Sequence, residues 1–460
     1  MRKLPQVSSS LAPYTDLGAT DIVRLIRERA MSCVEVAAAA NIAIAKLDGP
    51  IHAFAAEAGD HAIDRARELD RLSPASAAYL PLLGVPVAIK DVFDTADLPT
   101  EYGSPIYRGH QPRADAALVG LLRAAGAVVV GKTKTCEFAC MHPTDTRNPL
   151  DLDRTPGGSS SGSAAAVAAR IVPLAAGTQT AGSVVRPASY CGVLGLKPTF
   201  GVVPLAGALP TSASLDTVGL FARSPDDLEL ALGAVSGAPA GMASVRASRC
   251  IDGAGEASDG DLGRPPRLGV LRIGWDLLEP AARTAIDRYV EAAAAAGASI
   301  EDTELPLPFE RIVEAQRAIQ AAETAWALGG EADWHGELVS VALRSYIAEG
   351  RAVARDDYLA ARRVGDEQRW RWNEGIAQLD AVLAPSALGV PPLGLDSTGD
   401  PLLCRPFTFL GVPAVALPGA WTPDGLPIGV QLTGASHGDR RVLAVARWLL
   451  AQVGAGAPPR

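Results

Sequence analysis

Residues 156–198 read PGGSSSGSAAAVAARIVPLAAGTQTAGSVVRPASYCGVLGLKP, in which two Gly/Ser blocks flank one Ala-rich apolar helix pattern. A flexible Gly-Ser linker would neither enclose such a helix nor alternate with a buried segment like IVPLAAG. The stretch therefore belongs to a packed core. Upstream, the short β-branched runs GVPVAIKD (84–91) and GAVVVGKT (126–133) alternate with the helical pattern DAALVGLLRAAG (115–126). That rhythm predicts strand–helix–strand units around a largely buried sheet.

Farther out, residues 19–72 carry helix patterns, with Thr20 or Asp21 as the cap of DIVRLIRERA and a second helix through VAAAANIAIAKL. Residues 236–266 are rich in Gly, Ala, Ser and Asp without periodicity and read as an exposed connector. Beyond it, RLGVLRI (267–273) predicts a strand, 280–297 a helix, and 308–376 amphipathic helices. LDAVLAPSA (379–387), GVPAVALP (411–418) and LPIGVQLTG (426–434) add strands before a closing helix at 438–453. Strands on both sides of the connector predict one α/β domain over 1–460 rather than two. Its parts are a helical N-terminal region (1–78), a core (79–235), the connector (236–266), and a helical cover with C-terminal strands (267–460).

Charge and cysteine usage narrow the function. A formal net charge of -9 and the lack of a basic stripe argue against nucleic acid as a partner. Six scattered cysteines lack a disulfide spacing and read as reduced thiols. Cys136 and Cys140 have no second Cys/His pair, so no metal is expected, and no cofactor. With no apolar run of about 18 residues and no signal-like amino terminus, no membrane is expected and a cytoplasmic location is the default.

Two short motifs compete for attention. Gly126 to Thr133 fits a phosphate-loop pattern, but a true phosphate loop needs a permissive loop between its glycines, whereas here Ala127 and three valines belong in a strand. On that reading Lys132 is a solvated residue at a strand end. Gly158–Gly162 fits the G-x-S-x-G elbow of an esterase and would make Ser160 a nucleophile. The preceding NPLDLDRTP is polar and Pro-broken rather than a strand, and His335 and His437 have no evident acidic partner.

A third constellation is broader. GVPVAIKD with Lys90, PGGSSSGS with Ser159, GTQTAGS with Ser183, and the terminal segments FTFLGVPAVALPGAW and DGLPIGVQLTG together resemble the amidase signature family, with 24 residues between the two serines. The resemblance implies the amidase signature fold, a mixed central sheet covered by helices on both faces. It implies Ser183 as nucleophile, Ser159 as a bridging serine held by a cis peptide, and Lys90 as the base. The chemistry agrees, because a serine needs a neighbouring base and a lysine serves only when burial keeps it neutral. Lys90 ends the apolar run PVAIK, and the backbone of Thr180, Ala181, Gly182 and Ser183 can present N–H groups as an oxyanion hole. The plainer readings are Ser159 as a helix cap and Lys90 as a surface partner of Asp91 or Asp94.

The match has departures. Many members resemble GTDTGGS with an Arg two positions after the nucleophile, whereas here Gln179 and Ala181 differ and Arg186 falls three positions on. These details are more similar to malonamidase-like enzymes, a resemblance that implies Arg186 as the binder of a substrate carboxylate, with Thr178, Gly158 and Gln179 beside it. A bond from Arg186 to backbone carbonyls is the structural alternative. The expected partners are a small carboxylate-bearing amide or ureide, malonamate- or biuret-like, and water, with a homodimer allowed. The alternatives are the glutamine-hydrolysing component of a tRNA-dependent amidotransferase and a catalytically silent binding protein. Pocket walls are expected from 308–376 and the loop SALGVPPLGLDSTGDPLLC (386–404).

Overall fold

A computed structural model describes residues 1–4, 12–236 and 262–453. The expected connector lies almost wholly outside the described residues. The strands are β1 (Phe54–Glu57), β2 (Pro86–Lys90), β3 (Val128–Thr133), β4 (Leu174–Gln179), β5 (Leu194–Lys197), β6 (Thr217–Ala222), β7 (Arg267–Val270), β8 (Ser299–Asp302), β9 (Ala381–Pro385), β10 (Ala414–Trp421) and β11 (Pro427–Thr433). They form one 11-stranded sheet in the order β1-β3-β2-β4-β6-β5-β10-β11-β9-β7-β8. Strands from before and after the connector meet where β5 pairs with β10, so a single domain holds both halves.

The sheet is mixed. β3, β2 and β4 run parallel, as do β8, β7 and β9, while the central strands pair antiparallel. Every residue of β2, β3, β4, β5, β6, β9 and β11 is buried. Successive side chains in a strand point to opposite faces, so both faces are covered, as the resemblance implies.

Three local expectations need correction. The helix Ala19–Arg27 is capped at Gly18, not at Thr20 or Asp21: the Asp21 carboxylate reaches back to the Gly18 N–H while Thr20 binds Asp227. Phe54–Glu57, expected within a helical region, is strand β1, held by pairing with β3. Lys132 is not solvated. It is fully buried in β3, 3.1 Å from Asp91, and donates to the Thr100 hydroxyl at 2.5 Å. A lysine stem at a strand end points inward when the register demands it, and burial then requires a paired carboxylate.

The valines of GAVVVGKT lie in β3 and form no loop, so the phosphate-loop pattern is formal. Ser160 is buried, and its hydroxyl donates to the Thr178 carbonyl at 3.2 Å, with no strand leading into it. No helix of the described residues is long and apolar enough to cross a membrane.

Candidate active site

The C-terminal end of β2 meets two loops that enter helices. PGGSSSGS leads into the helix Ser161–Ala168, which packs on β2, β3 and β4. Gly157 takes φ 83°, which favours glycine, and the Gly158–Ser159 peptide bond is cis. GTQTAGS leads from β4 into the helix Val185–Cys191. A Cβ on Gly182 would come within 2.9 Å of the Pro401 side chain, so the absence of one lets the 401–404 turn lie directly on this loop.

Lys90 ends β2 with no exposure. Its Nζ donates to Ser159 Oγ and to Thr178 Oγ1, both at 2.8 Å. Among the described residues it forms no ion pair; the lysine that pairs with Asp91 is Lys132. Burial without a carboxylate partner pushes Lys90 down to about 7, against a weaker opposing pull from Cys136, Asp216 and Cys140. A neutral amine keeps two N–H donors and one lone pair, which suits two hydroxyl neighbours that can each donate or accept.

Ser183 is partly exposed, and its hydroxyl makes no hydrogen bond to the described residues. The N–H groups of Ala181, Gly182 and Ser183 likewise have no acceptor among the described residues. A run of unoccupied donors beside an unoccupied hydroxyl is what an oxyanion would need. The Thr180 hydroxyl donates to Asp216 at 2.5 Å, and Asp216 also accepts the N–H groups of Thr211 and Ser212 at 2.8 and 2.9 Å. Burial pushes the Asp216 carboxyl up to about 6 despite these donors.

The structure brings Lys90, Ser159 and Thr178 into direct contact and sets Gln179 and Arg186 to different work. Gln179 Oε1 accepts the Val184 and Val185 N–H groups at 2.9 and 3.0 Å, while its Nε2 donates to Thr408 Oγ1 at 3.0 Å. Arg186 is buried, and its Nη atoms donate to the Gly399 carbonyl, the Gly158 carbonyl and Thr398 Oγ1 at 2.8, 2.7 and 3.0 Å. It clamps the first serine loop to residues 398–399, the arrangement of the structural alternative. Sequence reasoning passed over Asp216, Thr408, Gln316 and Arg405. The only signal for Asp216 was a lone acid between apolar runs in SASLDTVGLFA.

The family model described as Amidase matches residues 35–443. The chain belongs to the amidase family. This amidase is an amidohydrolase, acting on carbon–nitrogen bonds other than peptide bonds. It is similar to the glutamyl-tRNA(Gln) amidotransferase component of type A from Symbiobacterium thermophilum, 33% identical over 94% of this chain and 95% of that protein. Its counterpart from Rhodopirellula baltica is 34% identical over 92% and 94%. Among solved structures, a chain of a vestigial protein complex bearing on the evolutionary origins of an s-triazine catabolic enzyme superposes with TM-score 0.84 and 32% identity, over 96% of this amidase and 100% of that chain. The native peptide amidase of Stenotrophomonas maltophilia gives TM-score 0.81 and 28% identity, over 97% and 99%. None of these relatives is a malonamidase, so the finer resemblance to that group gains no support.

Proposed function

We propose that this amidase hydrolyses the amide of a small carboxylate-bearing substrate through an acyl-enzyme on Ser183. The observation that carries the reading is the buried Lys90–Ser159 hydrogen bond of 2.8 Å, with burial holding Lys90 near 7. Ser183 attacks the amide carbon while its proton passes to Ser159 and the Ser159 proton to Lys90. The tetrahedral oxyanion is held by the N–H groups of Thr180, Ala181, Gly182 and Ser183. Lys90 and Ser159 return the proton to the leaving nitrogen, the C–N bond breaks, and ammonia or an amine departs. Water then attacks the acyl-Ser183 ester and gives its proton to the same relay, which returns it to Ser183 Oγ as the C–O bond breaks and the acid leaves. Acid quench during turnover, followed by digestion and detection of an acyl mass increment on the peptide containing Ser183 that hydroxylamine releases as the hydroxamate, tests this. An unmodified peptide under steady turnover rejects it.

Two substrate readings compete, glutamine and a small amide or ureide; glutamine and malonamate carry the carboxylate, and biuret is the neutral comparison. The names of the curated relatives support glutamine hydrolysis within an amidotransferase more than they support a malonamate- or biuret-like amide. The relative linked to s-triazine catabolism supports a small ureide. An excess of 51 acidic over 42 basic residues supports no direct nucleic-acid contact by this chain, so a tRNA would be held by partner proteins. Ammonia release from glutamine, malonamate and biuret by the chain alone separates the two. Glutamine turnover that appears only with a partner protein decides for the amidotransferase role.

A further inference from the structure

Arg405 opens the short helix Arg405–Phe409, which is bound to the nucleophile loop: Thr408 Oγ1 donates to the Ala181 carbonyl at 2.8 Å and accepts Gln179 Nε2. The Arg405 Nη1 donates to Gln316 Oε1 and, at 3.0 Å, to Gln320 Oε1. Gln316 Nε2 donates in turn to the Thr180 carbonyl at 3.0 Å. One glutamine side chain therefore separates this guanidinium from the loop that carries Ser183.

The guanidinium is half-buried and unusual in its company. No carboxylate among the described residues lies within ion-pair distance of it, and its Nε and Nη2 donate to none of them. Burial, then the nearby Arg317 and Arg186, push it down to about 10, while Tyr346 and Asp400 pull the other way. Some partly buried arginines of this chain meet acids directly, as Arg123 does with Asp97 and Asp115 and Arg441 with Asp380, while Arg223 and Arg147 donate to backbone carbonyls instead. A partly desolvated cation with free donors and a second cation beside it lacks an anion, and a planar guanidinium fork matches a carboxylate in two-point contact. Arg186 has spent its Nη donors on backbone carbonyls and the Thr398 hydroxyl and keeps only its buried Nε without a partner, a single donor that offers no two-point fork.

We propose that Arg405, with Arg317 and Tyr346 beside it, is the anion-recognising residue of this site and binds the carboxylate of the amide substrate. Gln316 and Gln320 hold the fork in place with neutral side chains, leaving its charge for the ligand. The proposal rests on the reading of the site as one for small carboxylate-bearing amides.

The test compares malonamate with malonamide, and succinamate with succinamide, pairs that differ only in a carboxylate against a neutral amide. In the wild type the acid of each pair is preferred in kcat/KM. In Arg405→Gln that preference falls roughly 10- to 100-fold, the loss residing in KM, as expected for one charge-assisted contact. Arg405→Lys keeps part of it. A wild type that shows no preference for the acids sinks the substrate reading, and the proposal with it. A wild type that prefers the acids while Arg405→Gln keeps the same preference, or loses all four substrates in equal proportion, overturns the role of Arg405 alone.

Discussion

The Thr180 hydroxyl donates to the buried Asp216 carboxylate at 2.5 Å, tying the first residue of the proposed oxyanion hole to the turn that precedes β6. Asp216→Asn keeps the shape but turns an acceptor into a donor facing other donors. We expect kcat to fall roughly 10- to 100-fold with KM nearly constant, the size of a lost charge-assisted hydrogen bond. Thr180→Ser, which keeps the hydroxyl, should retain most of the activity. Initial rates of ammonia release on both variants check this.

Removing the proposed attacking and bridging hydroxyls should have unequal effects. Ser183→Ala leaves only trace turnover, because no acyl acceptor remains. Ser159→Ala interrupts the proton relay and lowers kcat by about 10²- to 10⁴-fold, the range of general acid–base assistance. Turnover by Ser183→Ala above trace level would reject Ser183 as nucleophile.

The pH profile follows from two groups whose active forms both appear as pH rises. On the proposed mechanism Lys90 must be neutral, and burial pushes it down to about 7; Asp216 accepts Thr180 best when ionised, and burial pushes it up to about 6. The kcat/KM profile should be flat above about 7.5, fall tenfold per pH unit just below 7, and steepen below 6. Asp216→Asn should restore a single slope on the acidic side. Burial likewise lowers Lys197 to about 7, but among the described residues its Nζ bonds to the Pro198 carbonyl and to no residue of the candidate site, so Lys197→Met should leave the profile in place.

The Lys132–Asp91 pair is buried on both sides. Removing one partner strands the other charge, so Lys132→Met or Asp91→Leu alone should cost about 3–5 kcal/mol of unfolding free energy. The double change should cost less than either. Denaturant melts of the three variants measure the difference.

Gly162 permits the helix Ser161–Ala168 to lie against the β1–β3 edge. A Cβ there would collide with the Ala53 carbonyl oxygen and come within 2.6 Å of the Lys134 backbone nitrogen. Gly162→Ala should therefore cost about 1–3 kcal/mol by overpacking, with activity falling as the first serine loop is displaced. Thermal melts and ammonia release together check it.

Much of the fold was legible because it rests on neighbouring residues. The β-branched runs ending at Lys90 and Thr133, the Ala-rich helix after Ser159 and the Gly/Ser loops each carry their own conformational preference. Phe54–Glu57 was not legible, since FAAE holds no β-branched residue and becomes a strand only by pairing with β3. Ser32, which caps the helix Cys33–Leu47 in a box with Glu35, is a local signal that was available and passed over.

By itself the sequence marked the segments of β2, β3, β7, β9, β10 and β11 and nominated Lys90, Ser159 and Ser183 as the candidate site, because spacing and flanking glycines are properties of short stretches. Only the tertiary structure decided that Lys132 is buried against Asp91, that Asp216 holds Thr180, and that Arg186 is spent as a clamp while Arg405 keeps free donors. Each of those outcomes depends on which distant segment arrives beside the residue, and with what charge. Burial and pairing, which set the ionisation of a side chain, are relations between segments and are not written in either one alone.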